Sequence, residues 1–113
     1  KMSIFHMYTG DDGQSHIEEP ALSAQPSQEM PQATKEIFFR ELPAGTVMDW
    51  HNAPRRQYVI VFEGQMEIGF KDGSVQRCGP GEGVLAADLT GSGHTTRVVG
   101  DDAAVVGVVP LAD

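Results

Sequence analysis

The chain has 113 residues, enough for one domain (1–113) and too few for two. Its formal net charge of −8 argues against nucleic acid or an anionic membrane as partner and reads as a solubility feature. One cysteine, Cys78, allows no internal disulfide, and no apolar run approaches a membrane span, so a cytoplasmic location is expected. The opening residues lack the continuous apolar stretch of a signal peptide, and Met2, after Lys1, reads as the natural start.

The predicted elements are short strands separated by turns. Residues 2–8 form a strand that Gly10-Asp11-Asp12-Gly13 turns, and residues 14–18 form its partner, so the first eighteen residues are N-terminal strands. Residues 19–35 carry Pro20, Pro26 and Pro31 among Ser, Gln and Ala, with no period, and predict an irregular segment. Strands follow at 36–41, 46–51 and 57–62, stopped by Pro43-Ala44-Gly45, Asn52-Ala53-Pro54 and Glu63-Gly64. Residues 65–70 alternate polar and apolar side chains, Asp72-Gly73 makes a hairpin turn, and residues 74–78 return. Gly79-Pro80-Gly81-Glu82-Gly83 turns into a brief strand at 84–87. Strands at 94–99 and 103–109 complete the chain. No segment has a helical period, and 13 glycines and 7 prolines suit a turn-rich all-β sandwich or barrel.

One stretch is more specific. Gly45 is followed after five residues by His51, two positions later by Ala53, four later by Gln57 and seven later by Gly64. These gaps resemble the first cupin motif, in which His-x-His and Glu stand where this chain has His51, Ala53 and Gln57. Pro80-Gly81-Glu82 and Gly91-Ser92-Gly93-His94 resemble the second, with Glu82 for the usual Asp and Thr90-Gly91 in place of the Pro-containing turn. The resemblance covers about residues 37–109. It implies an all-β, double-stranded β-helix (jelly-roll) cupin barrel with its pocket inside, and a homodimer, since cupins commonly pair through outer sheet faces. Trp50, Tyr58, Ile60 and Phe62 are the expected contact residues.

Alternation then assigns the faces. If His51 points inward, Asp49 and Val47 share its face and Trp50 opposes it. Gln57, Val59 and Val61 share one face of the next strand, and His94, Thr96 and Val98 one face of the late strand. The expected pocket holds Asp49, His51, Gln57 and His94 above a floor of valines. Asp49 beside His51 suggests a carboxylate–imidazole pair for acid–base catalysis.

The cupin resemblance implies a divalent transition metal (Fe, Mn, Ni or Zn) held by three His and one Glu. Here only His51 and His94 keep their positions. Ala53 cannot coordinate, and the neutral amide of Gln57 is a weak ligand. A third strong ligand would have to be Asp49. Arg55 and Arg56 read either as a solvated loop or as a clamp for a ligand carboxylate or phosphate. With Gln57 and His94 they make up the expected substrate-binding set. Asp88 either faces the pocket rim or caps its loop. His16 reads as an exposed strand residue and Cys78 as a packing residue.

Three readings stay open. The first is a metal-free or weakly metal-assisted lyase, isomerase or epimerase acting on a small polar, anionic molecule. The second is a non-catalytic binding or sensing cupin. The third is a non-heme metal-dependent oxygenase using His51, His94 and Asp49.

Overall fold

Turn residues cut the chain into pieces too short for helices, and the β-branched and aromatic runs between them pair as strands. The computed structural model describes residues 3–19 and 31–113. Its strands are β1 (Ile4–Thr9), β2 (Ser15–Glu18), β3 (Phe38–Leu42), β4 (Val47–His51), β5 (Gln57–Glu63), β6 (Gln65–Gly69), β7 (Val75–Cys78), β8 (Gly83–Ala87), β9 (His94–Val99) and β10 (Ala104–Pro110). Each lies within a residue or two of its place in the sequence reading. The described residues contain no helix, and so none long and apolar enough to cross a membrane.

Two sheets face each other. The larger has the order β2-β1-β8-β5-β10-β3, the smaller β4-β9-β6-β7. Neighbouring strands are antiparallel except β1 and β8, which run parallel from Ile4 beside Gly83 to Tyr8 beside Ala87. Between the sheets lie Phe5, Met7, Val61, Met66, Ile68, Val98 and Val106, all buried. Each such side chain contributes about 1.5–3 kcal/mol on leaving water, and this offsets the entropy of ordering a turn-rich chain.

Strand β4 departs from strict alternation. Met48 pairs with Thr96 and His51 with His94, so three steps along β4 match two along β9. The extra residue is a β-bulge, and it resets which side chains face inward. Met48 and His51 reach the barrel interior. Val47, Asp49 and Trp50 are exposed. The inward placement expected for Asp49 and Val47 is therefore corrected: period-2 counting fails across a bulge.

The four expected contact residues are divided between the sheets. Trp50, on β4, lies under the Lys71 ammonium, which sits 3.7 Å from the ring centroid. Tyr58, Ile60 and Phe62 are on β5 in the other sheet. Phe62 meets Phe39 of β3 with centroids 6.0 Å apart, and the two rings fold over Gly107, where a Cβ would stand 2.8 Å from Phe62. Tyr58 is half-buried, and its hydroxyl accepts a hydrogen bond from Gln32 Nε2 at 2.8 Å. Residues 31–35 run beside the end of β10: Lys35 N–H donates to Pro110 O, and Thr34 bridges Leu111. This described end of the expected irregular segment is irregular apart from that bridge; residues 20–30 lie outside the described residues.

Candidate functional site

A cavity of about 280 Å³ lies between the sheets. That is small for a ligand pocket. Its walls are largely apolar, with Val59, Val61, Val106 and Val108 from the larger sheet and Met48, Met66 and Ile68 from the smaller. The polar groups on it are few: His51, His94, Gln57, Thr96 and Arg40.

The two imidazoles are neighbours because the bulged β4 pairs His51 directly with His94. Their ring centroids are 4.4 Å apart at an interplanar angle of 57°. Gly93 makes the approach possible. It has φ +75, and a Cβ there would lie 2.4 Å from the His51 carbonyl oxygen. A side chain at position 93 would push the two strands apart just where the histidines meet.

Each imidazole is held through Nδ1. His51 Nδ1 lies 2.7 Å from the backbone carbonyl of Asp49. His94 Nδ1 lies 2.6 Å from Asp88 Oδ2. A carbonyl oxygen only accepts, so His51 carries its hydrogen on Nδ1, and an ionised Asp88 carboxylate would set His94 the same way. The lone pair of each neutral ring then sits on Nε2. His94 is 5 % exposed and Asp88 fully buried, whereas His51 is half-buried.

The structure redistributes the expected roles. The Asp49 carboxylate does not pair with the His51 ring: it accepts the Trp50 backbone N–H at 2.8 Å and is exposed. The carboxylate that meets a cavity imidazole is that of Asp88, the residue that follows β8. Its sequence reading, rim or cap, gave no hint of a pair with a ring six residues on. Neither Arg55 nor Arg56 lines the cavity. Arg56 Nη1 donates to Asp113 at 2.6 Å, an ion pair with both side chains partly exposed. Arg55 is exposed and donates from Nη1 to Gln57 Oε1 at 3.1 Å. The arginine on the cavity wall is Arg40 of β3, which sequence reasoning passed over. Its signal was available: Arg40 shares a strand face with Leu42, which is buried, and faces Val106 across the pair with β10.

The remaining candidates fall as expected. His16 is at the surface, 3.0 Å from Asp12 Oδ2. The Gln14 backbone N–H, and after it that contact with His16, hold the Asp12 carboxyl below its ordinary range. Cys78 is buried, and desolvation, with a smaller contribution from Glu82, pushes its thiol up to about 12. A thiol so placed is no nucleophile near neutral pH.

The donors do not fit a tightly held transition metal. Among the described residues no three His, Cys, Asp or Glu side chains gather as a ligand set. Ala53 lines the cavity where a second histidine would stand. Gln57 lines it where a glutamate would stand, and its amide oxygen is already engaged by a guanidinium. Two imidazoles and an amide, with Arg40 lining the same cavity from the facing sheet, offer no anionic ligand.

No protein-family model matches the sequence, and no curated protein matches it significantly. Solved structures do resemble it. The cupin domain of Schizosaccharomyces pombe Cnp3 aligns with a TM-score of 0.58 at 15% identity, covering 88% of this chain and 73% of that one. The DMSP lyase DddQ from Ruegeria pomeroyi DSS-3 aligns with a TM-score of 0.55 at 23% identity. That match covers 68% of this chain and only 38% of DddQ. An RmlC dTDP-6-deoxy-D-glucose-3,5-epimerase from Legionella pneumophila aligns with a TM-score of 0.50 at 8% identity, covering 96% and 73%. The chain has the cupin fold.

Proposed function

We propose that the barrel cavity binds a small anionic organic molecule and that His51 and His94 exchange a proton with it, as in a metal-free lyase, isomerase or epimerase. The observation that carries this reading is the shared arrangement of the two rings: each has Nδ1 occupied by a fixed acceptor, which leaves Nε2 as the basic nitrogen. Two such bases side by side suit removal of a proton from carbon beside a carbonyl and its return to another position or face. Arg40 supplies the charge that holds the anionic group, and the valine and methionine walls exclude water. Among the fold's structural neighbours, one is described as a lyase and one as an epimerase. The oxygenase reading loses its third ligand with the outward turn of Asp49.

The test is a thermal-shift screen of small carboxylates and sugar phosphates, followed by incubation of the best stabiliser in deuterated water. Mass spectrometry should show deuterium entering the ligand or a product forming, and His94→Gln should slow this by about 100-fold or more. A tight ligand recovered without exchange or turnover would instead establish the binding-only alternative for that ligand class.

A further inference from the structure

Asp88 is an acidic side chain buried completely behind His94, which lines the cavity, and among the described residues no lysine or arginine pairs with it. Its Oδ2 receives two contacts. One comes from Ser15 Oγ at 2.6 Å and the other from His94 Nδ1 at 2.6 Å. Its Oδ1 is buried with no hydrogen-bond partner among the described residues. A carboxylate left half-satisfied in the interior costs stability, so packing gives no reason to keep it there. Its backbone carbonyl is also engaged: Ala53 N–H donates to it at 3.2 Å and Asn52 Nδ2 at 3.3 Å. Those two residues directly follow His51. Asp88 therefore ties both histidine strands together, through its side chain to β9 and through its main chain to the end of β4. Ser15 reaches it from β2, 73 residues away in sequence.

We propose that Ser15 and Asp88 are positioning residues for His94. Asp88 accepts the Nδ1 hydrogen, which fixes the ring's orientation and tautomer and leaves the lone pair on Nε2. Ser15 donates to the same oxygen and holds the carboxylate in line. The hairpin of β1 and β2 thereby belongs to the site and is more than an outer cover. The consequence for proton transfer rests on the function proposed above. The hydrogen-bond chain itself is a property of the free protein.

The experiment is two-bond proton–nitrogen correlation spectroscopy of the histidine side chains in the 15N-labelled full chain. His94→Gln assigns the signals. The expected wild-type result is a protonated-type Nδ1 and a lone-pair-type Nε2 for His94, with a slowly exchanging Nδ1 proton far downfield. A His94 ring with the hydrogen on Nε2, or averaging between both tautomers, overturns the proposal. In Asp88→Asn the downfield proton should disappear from its position and the two nitrogen shifts should move toward each other. Unchanged shifts overturn the role of Asp88. If that variant does not fold, the wild-type spectrum still decides for Asp88. Ser15→Ala decides for Ser15: the Nδ1 proton should move further downfield as the carboxylate loses a competing donor, and an unmoved proton removes Ser15 from the chain. Because no ligand is needed, failure here leaves anion binding by Arg40 standing, and failure to find a ligand leaves this result standing.

Discussion

Arg40 carries the positive charge that an anion entering the cavity would meet. Arg56 is spoken for by Asp113, and Arg55 reaches the cavity only by way of Gln57. Arg40→Ala should therefore weaken binding of the best carboxylate from the screen by about 10- to 100-fold, the worth of one charged hydrogen-bonding partner. Arg56→Ala should leave affinity unchanged, because its ion pair with Asp113 is solvent-screened and lies off the cavity. Isothermal titration of both variants separates the two. Cys78 gives a second prediction at this scale. Burial, with a smaller contribution from Glu82, pushes its thiol up to about 12, against about 8.5 in an unfolded chain. Between those values the unfolded chain sheds the proton and the folded one keeps it. Burial of the neutral thiol thus favours folding below about pH 8.5, and that advantage is lost as pH rises toward 12. Urea midpoints should fall more steeply between pH 8 and 10 in the wild type than in Cys78→Ala, even though the variant starts from lower stability.

At the scale of elements, β4 shows what alternation can deliver and where it stops. The turn residues located every strand, and parity placed Gln57, Val59, Val61, His94 and Thr96 on inward faces, where the structure has them. On β4 the same counting sent Asp49 inward, because a bulge leaves no mark in a string of side-chain types. The Asp88–His94 and Ser15–Asp88 bonds were equally illegible. Both depend on which strands lie side by side, and that order follows from tertiary pairing, not from local pattern. Arg40 was legible only through Leu42, the one buried residue of β3, with which it shares a strand face. Gly93 allows a direct test of the strand crossing. Gly93→Ala must place a Cβ 2.4 Å from the His51 carbonyl oxygen at φ +75. Gly73 has φ +87 with open space around it. Gly73→Ala should cost about 1–2 kcal/mol, the backbone penalty alone. Gly93→Ala should cost clearly more in urea denaturation and should also abolish ligand-induced stabilisation by separating the two imidazoles.

At the scale of the whole molecule, the N-terminal hairpin closes the larger sheet. Strand β8 is held by β5 on one side and by β1 on the other, and the parallel β1–β8 pair is the contact that the order of elements along the chain least suggests. Phe5 and Met7 send their side chains between the sheets and are 3 % and 2 % exposed. Met7 also lines the cavity. Removing residues 1–18 would take two core side chains away, each worth about 2–5 kcal/mol when lost to a void, and would leave the β8 edge with unpaired backbone groups. A domain of this size has about 5–15 kcal/mol of net stability, so that loss is enough to unfold it. The truncated chain should lose its cooperative urea transition and bind a hydrophobic dye. A milder variant isolates the packing from the edge. Phe5→Ala keeps β1 paired with β8 through the backbone and removes only the ring. It should lower stability by about 3–5 kcal/mol while keeping a single cooperative transition. If the truncation unfolds and Phe5→Ala merely weakens, the hairpin holds the barrel through both its core side chains and its edge pairing. A truncated chain that melts like the full one would show instead that β3 to β10 form a self-sufficient barrel.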